Sequence, residues 1–190
     1  MAEAAQVKLY VVRHGQTWAN RDGIFPGAGS RLTRDGLEQA WLVWNKFRKM
    51  NVLIDTVIVT PTLRARETAE PTIAGQVKKP RIIIVPGLAE KDPGRAAGMR
   101  IPNGFEEIDR ACVKRGGESW GQFIERVAGT ACRLLGDIEE GKLGANVAIF
   151  SHSLSNRILL GVIEGRRALE CLRGKGQENG GVRTIEFQRR

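Results

Sequence analysis

Two histidines occur in the 190-residue chain, and each follows an apolar run: His14 after "KLYVVR" and His152 after "NVAIFS". A third apolar run, "DTVIV", leads into Thr60–Pro61 and on to Arg64. Two imidazoles and two guanidiniums (Arg13 and Arg64) at one mouth describe a pocket for a dianion. Guanidinium matches phosphate oxygens bidentately, and imidazole titrates near neutrality. A phosphoryl group is the natural guest. One imidazole can attack phosphorus in line to give a phosphohistidine, while the other and the arginines neutralise the equatorial oxygens. The leaving alkoxide then needs a proton. Glu90, four residues after Pro86, is placed to supply it and later to activate water.

The elements that carry these residues follow from periodicity. "KLYVVRH" reads as a strand buried on both faces. "LTRDGLEQAWLVWNKFRKM" reads as a helix capped by Thr33, with Leu37, Ala40, Trp41, Trp44 and Phe47 facing a core. "DTVIVT" is a second strand, and Pro61 opens the first turn of a helix that Pro71 ends or kinks. "RIIIVP" is a third strand. Residues 86–117, rich in glycine, proline and charge and without a clear period, read as an active-site loop or lid. A strong helical stripe runs from Trp120 through Phe123, Ile124, Val127 and Ala131 to Leu134 and Leu135. "NVAIFSH" is a fourth strand, "LSNRILLGVIE" a helix, and "GGVRTIEF" an edge strand. Trp18, like the other tryptophans, is assigned to packing.

Strands alternating with helices predict one domain over 1–190: an α/β, three-layer α/β/α fold with a mostly parallel central sheet. Such sheets bind ligands beyond the carboxyl ends of their strands. Arg13–His14, Thr60 to Arg64 and Ser151–His152 all fall at that edge. Singly each has a duller reading, Asn20 as a turn cap and Arg64 as an ordinary helix residue. Joint placement favours chemistry.

Composition bounds the rest. The formal charge is +9, from 30 basic and 21 acidic residues, so the average field attracts anions. The basic residues are scattered and aromatics make up only 6%, which leaves little for a base-stacking platform, and no nucleic-acid partner is expected. Cys112, Cys132 and Cys171 form no paired spacing, so neither disulfides nor a zinc site is suggested and a reducing compartment fits. "MAEAAQVKLY" contains an acid and no long apolar stretch, and no run reaches the roughly 18 apolar residues of a membrane span. A cytoplasmic protein without a membrane partner is expected.

Arg13-His14-Gly15-Gln16-Thr17-Trp18-Ala19-Asn20, with "LTRDGLEQA", "TPTLRARETA", "GLAE", "GGES" and "IFSHS" following in order, resembles the histidine phosphatase superfamily, also called the phosphoglycerate mutase-like family, from Lys8 to Phe187. The resemblance implies that His14 is the nucleophile, that Arg13, Asn20, Arg64 and His152 hold the phosphoryl group, and that Glu90 is the acid-base residue. It implies no metal or organic cofactor. Departures are Thr60 for serine, Ser30 for aspartate, and Ser153 where many members carry glycine, a position whose backbone N–H can still face phosphate. The segment after Glu90 lacks the Tyr-Gly and Trp-x-Gly features of relatives, which leaves Asp92 and Glu118 as alternative acids. The chain is short for a mutase, which favours hydrolysis of a small anionic phosphorylated metabolite. Phosphoglycerate mutase-type transfer and noncatalytic binding are the alternatives, and Lys91, Arg95 and Arg100 are candidates for selecting multiply charged substrates. The oligomeric state stays open.

Overall fold

A computed structural model describes residues 6–172 and 176–188; residues 1–5, half of the opening segment expected to hold an acid and no long apolar stretch, lie outside the described residues. In chain order the strands are β1 (Gln6–Arg13), β2 (Thr56–Val59), β3 (Arg81–Ile84), β4 (Asn146–Ser151) and β5 (Val182–Gln188). The helices are α1 (Trp18–Asp22), α2 (Arg34–Lys49), α3 (Leu63–Gly75), α4 (Phe105–Val113), α5 (Trp120–Glu139), α6 (Ser153–Ile163) and α7 (Ala168–Cys171). The sheet order is β3-β2-β4-β1-β5, parallel throughout except for β5, which runs antiparallel to β1 at one edge.

Side-chain alternation along the central strands builds a core on each face. Val7, Leu9 and Val11 of β1 join Val147 and Ile149 of β4 in a cluster with α5 and α6. Tyr10 and Val12 join Ala148 and Phe150 in a second cluster with α2 and α3. The expected three-layer α/β/α architecture follows directly. Because β4 lies between β1 and β2, the carboxyl ends of all three strands open at one place.

Helix starts obey their caps. Thr33 Oγ1 accepts from Gly36 N at 3.1 Å, and Ser119 forms a capping box with Gln122 ahead of α5. The α5 stripe is buried at Trp120, Phe123, Val127, Ala131 and Leu134, with Ile124 and Leu135 packed beside it.

Four local readings are corrected. On α2 the buried positions are Gly36, Ala40, Val43 and Phe47, with Trp44 packed beside them, while Leu37 is exposed and Trp41 is 57% exposed. Two apolar stripes one residue apart compete on this helix. The close approach of Gly36 to the Gln16 backbone decides its rotation, since a Cβ there would lie 2.1 Å from Gln16 O. Trp18 is exposed too, its ring covered by the Arg21 guanidinium at 4.2 Å. Pro61 stands ahead of the cap residue Thr62, and α3 continues through Pro71 to Gly75. Residues 86–117 hold α4 and two 3₁₀ turns, Pro86–Leu88 and Gly94–Ala96. Ile108 and Cys112 of α4 pack with Phe25 and Ala96, and Phe105 stacks on Trp120 at 4.1 Å between centroids. Among the described residues, no helix is long and apolar enough to cross a membrane.

Candidate active site

The β1–β4 register creates the histidine pair. Arg13 lies opposite Ser151, and His14 N donates to Ser151 O at 3.0 Å, so the next residue of each strand is a histidine at the same level. Their ring centroids are 5.2 Å apart at 64°. On the neighbouring strand, Thr60 N donates to Phe150 O at 3.2 Å, which brings Thr60 beside His152. Arg64 enters from the first turn of α3, buried, with Nη1 donating to Gly27 O at 2.9 Å. Arg13 Nη1 donates to Gln177 O at 2.6 Å.

Hydrogen bonds fix how each imidazole is presented. His14 Nδ1 lies 2.7 Å from Gly15 O, and a carbonyl only accepts, so Nδ1 carries the proton and Nε2 keeps its lone pair. Burial, reinforced by Arg64 and Arg13 and opposed by the Gly15 carbonyl, pushes His14 down from 6.5 to about 3. Its ring is neutral at physiological pH. His152, fully buried, is pushed well below 6.5 by burial and by Arg64, His14 and Arg13. Its Nε2 meets Thr60 Oγ1 at 2.9 Å and Thr62 Oγ1 at 3.4 Å. With the Thr60 hydroxyl donating, the proton of His152 sits on Nδ1. That atom, Arg13 Nε and Arg64 Nε are buried without a hydrogen-bond partner. Leaving buried donors unpaired costs about 1–3 kcal/mol each, so this corner gains from an acceptor-rich guest. Burial lowers both arginines, Arg64 to about 10, while Glu90 raises them.

Glu90 is held at this mouth by two backbone donors, Lys91 N at 3.2 Å and Leu154 N at 3.1 Å. Burial raises its pKa, and those two donors, Arg64 and Arg13 oppose the rise. The loop beneath it is tied down through its carbonyls. Ser151 Oγ donates to Leu88 O, Ser155 Oγ donates to Ala89 O, and Arg126 reaches Gly87 O, Ala89 O and Glu90 O.

The two other candidate acids stand differently. Burial raises Glu118, but Arg126 and Asp92 N outweigh it and leave its carboxyl below the usual range; Arg126 contacts both of its oxygens at 2.7 Å. Asp92 is exposed and accepts from Gly94 N at 2.9 Å. Asn20 closes a capping box with Thr17, its Oδ1 accepting from Thr17 N and Asn179 Nδ2, which leaves its own amide N–H groups for a ligand. Ser153 begins α6 after the N-cap His152, its Oγ beside Gly176.

The lysine and arginines considered for substrate charge part company. Lys91 is buried, its ammonium against Asp109 at 3.4 Å, hydrogen-bonded to Glu118 O and lying 5.0 Å from the Trp120 ring centre. Arg95 and Arg100 are exposed. Sequence reading passed over Arg126, Gln177 and Asn179. Gln177 bridges Asn156, Arg13 and Val11 O, and Asn179 donates to His14 O at 3.2 Å. No local signal marks Gln177 or Asn179, because they act from the loop before the last strand.

A mostly parallel α/β/α sheet with a paired-histidine, paired-arginine mouth at its carboxyl edge defines a class of phosphoryl-handling fold. A family model described as the histidine phosphatase superfamily, branch 1, matches residues 9–190, and the chain belongs to that superfamily. A broad-specificity phosphatase of Saccharomyces cerevisiae is 27% identical over 162 residues, covering 81% of this chain and 69% of that protein. The alpha-ribazole phosphatase of Shigella flexneri shares the fold with a TM-score of 0.78 at 24% identity, over 94% of this chain and 90% of that one. Phosphoglycerate mutase from Bacillus anthracis does so with a TM-score of 0.78 at 22% identity, over 98% and 90%.

Proposed function

We propose that the protein hydrolyses small phosphomonoesters through a phosphohistidine on His14. The observation that carries this reading is the Gly15 carbonyl on His14 Nδ1, which leaves Nε2 of a neutral ring as a ready nucleophile among unpaired cationic donors. The phosphatase relative in yeast supports hydrolysis as the reaction type.

In the first step the His14 Nε2 lone pair forms a bond to phosphorus, and the bond from phosphorus to the ester oxygen breaks. Glu90 gives its proton to the departing oxygen. Arg13, Arg64 and His152 donate to the equatorial oxygens, with Asn20 and the α6 N-terminus at Ser153 completing the cradle. The Gly15 carbonyl accepts from the ring N–H as positive charge spreads over the phosphorylated imidazole. In the second step Glu90, now a carboxylate, takes a proton from water as its oxygen attacks phosphorus. The P–N bond breaks and its electron pair returns to Nε2.

His14→Ala is expected to lose about 10³-fold or more in hydrolysis of an aryl phosphate, with circular dichroism unchanged. Rapid quench of the native enzyme with labelled substrate should trap an acid-labile, base-stable phosphoprotein. Retained turnover in the variant, or unlabelled protein during turnover, overturns the mechanism. Isomerisation of a monophosphorylated sugar acid only after priming by a bisphosphate would instead identify a mutase.

A further inference from the structure

Beside the phosphoryl corner lies a cavity of about 410 Å³, bounded by Arg64 and Glu90 and therefore facing the bond that would break. Its size falls within the range of small-molecule sites. Four of the chain's seven prolines, Pro26, Pro61, Pro86 and Pro93, line it. Proline rings give a stiff, apolar wall whose shape is set before a ligand arrives.

The charges around this cavity are arranged against a second anion. Arg13 and Arg64 match the two charges of one phosphoryl dianion. Arg126 is engaged by both oxygens of Glu118, and the Lys91 side chain is only 4% exposed and turned to Asp109. Asp92 lines the cavity and has no ion-pair partner among the described residues. What remains for the leaving group is an apolar wall with uncompensated carboxylate.

We infer that the cavity selects phosphomonoesters whose alcohol is neutral or cationic with an apolar face, and rejects alcohols carrying a second phosphate or a carboxylate. The inference rests on the reading of His14 and Glu90 as the reacting pair, which places the alcohol in this cavity. Rejection here is electrostatic: a like charge facing the Asp92 carboxylate raises the barrier for the wrong substrate.

Benzyl phosphates test it, because the methylene insulates the leaving oxygen from the ring substituent. With the full-length protein, kcat/KM for 4-methylbenzyl and 4-(aminomethyl)benzyl phosphate should exceed that for 4-carboxybenzyl phosphate by about tenfold, and added salt should shrink the gap. Asp92→Asn, which keeps an acceptor for Gly94 N, should narrow the gap. Equal or reversed preference overturns the inference. Affinities of the matching benzylphosphonates, by calorimetry on His14→Ala, give the same ranking without turnover. Absent hydrolysis with the predicted ranking therefore counts against the phosphohistidine reading alone, and hydrolysis with a flat ranking counts against the cavity alone.

Discussion

At the scale of single residues, the division of labour follows from what each hydrogen bond forbids. Gly15 O cannot donate, so His14 cannot hold its proton on Nε2 while that contact lasts. Glu90 sits between opposed influences, burial raising its pKa and Arg64, Arg13 and two backbone N–H groups lowering it, with burial the larger. The net direction keeps more of the acid form near neutrality than a solvated glutamate has, which suits proton donation to an alkoxide. Glu90→Gln keeps the size and loses the proton. Its kcat on an alkyl phosphate should fall about 10²-fold, with a much smaller loss on 4-nitrophenyl phosphate, whose leaving group departs without a proton. Equal losses on both would remove Glu90 from the acid role. The basic limb of the alkyl-ester pH profile, where wild-type activity falls as Glu90 deprotonates, should vanish in the variant. The positions of His14 and His152 were legible because a short apolar run that stops at a polar pair marks a strand end. The partners of Glu90 were not, since Leu154 N and Arg126 come from helices 64 and 36 residues away.

At the scale of elements, α5 does more than fill a core. Its Arg126 side chain leaves the helix to hold the Gly87, Ala89 and Glu90 carbonyls and the Glu118 carboxylate, so a helix face is wired to the loop that presents Glu90. Arg126→Met removes these ties. Its kcat should fall most for esters with poor leaving groups, and the Arg126→Met/Glu90→Gln double variant should be no slower than Glu90→Gln alone. Additive losses would mean that Arg126 acts independently of Glu90. Arg126→Lys, with one donor centre in place of a fork, should recover only part of the rate. Periodicity located α5 well, but a period reports which side is buried and is silent on where a long polar side chain ends. The rotation of α2 was hidden for a related reason, two apolar stripes competing until the close approach of Gly36 to the Gln16 backbone decides between them. A Cβ at Gly36 would lie 2.1 Å from Gln16 O, and both partners are backbone. Gly36→Ala should lower unfolding free energy by about 1–3 kcal/mol despite alanine's better helix propensity. Gly136→Ala, with open space around it, should raise that free energy by about 0.5–1 kcal/mol. Urea midpoints moving in the same direction for both would contradict the packing argument.

At the scale of the whole molecule, the histidine pair couples catalysis to stability. Both imidazoles are neutral in the folded chain because burial and the arginines disfavour their charged forms, with His14 lowered to about 3. An unfolded chain protonates the same rings at about 6.5. Their folded pKa values are depressed, so the neutral rings contribute fully above pH 6.5, and that contribution is lost as pH falls from there toward 3. Below pH 6 the unfolded state binds more protons than the folded one, and each ring adds up to about 1.4 kcal/mol of lost stability per pH unit. Glu90 runs the opposite way, stabilising below its unfolded value and losing that as pH rises through its raised folded value. A comparison between variants therefore isolates the rings. Urea unfolding of native protein and His14→Asn at several pH values from 6.5 to 5 should give a steeper fall for the native chain, the difference growing toward about 1.4 kcal/mol per unit at the acid end. Adding vanadate should flatten the native slope, since a bound anion favours the protonated rings that burial rejects. Parallel slopes in the absence of anion would mean that His14 is already charged in the fold, and a charged ring has no lone pair on Nε2 with which to attack phosphorus.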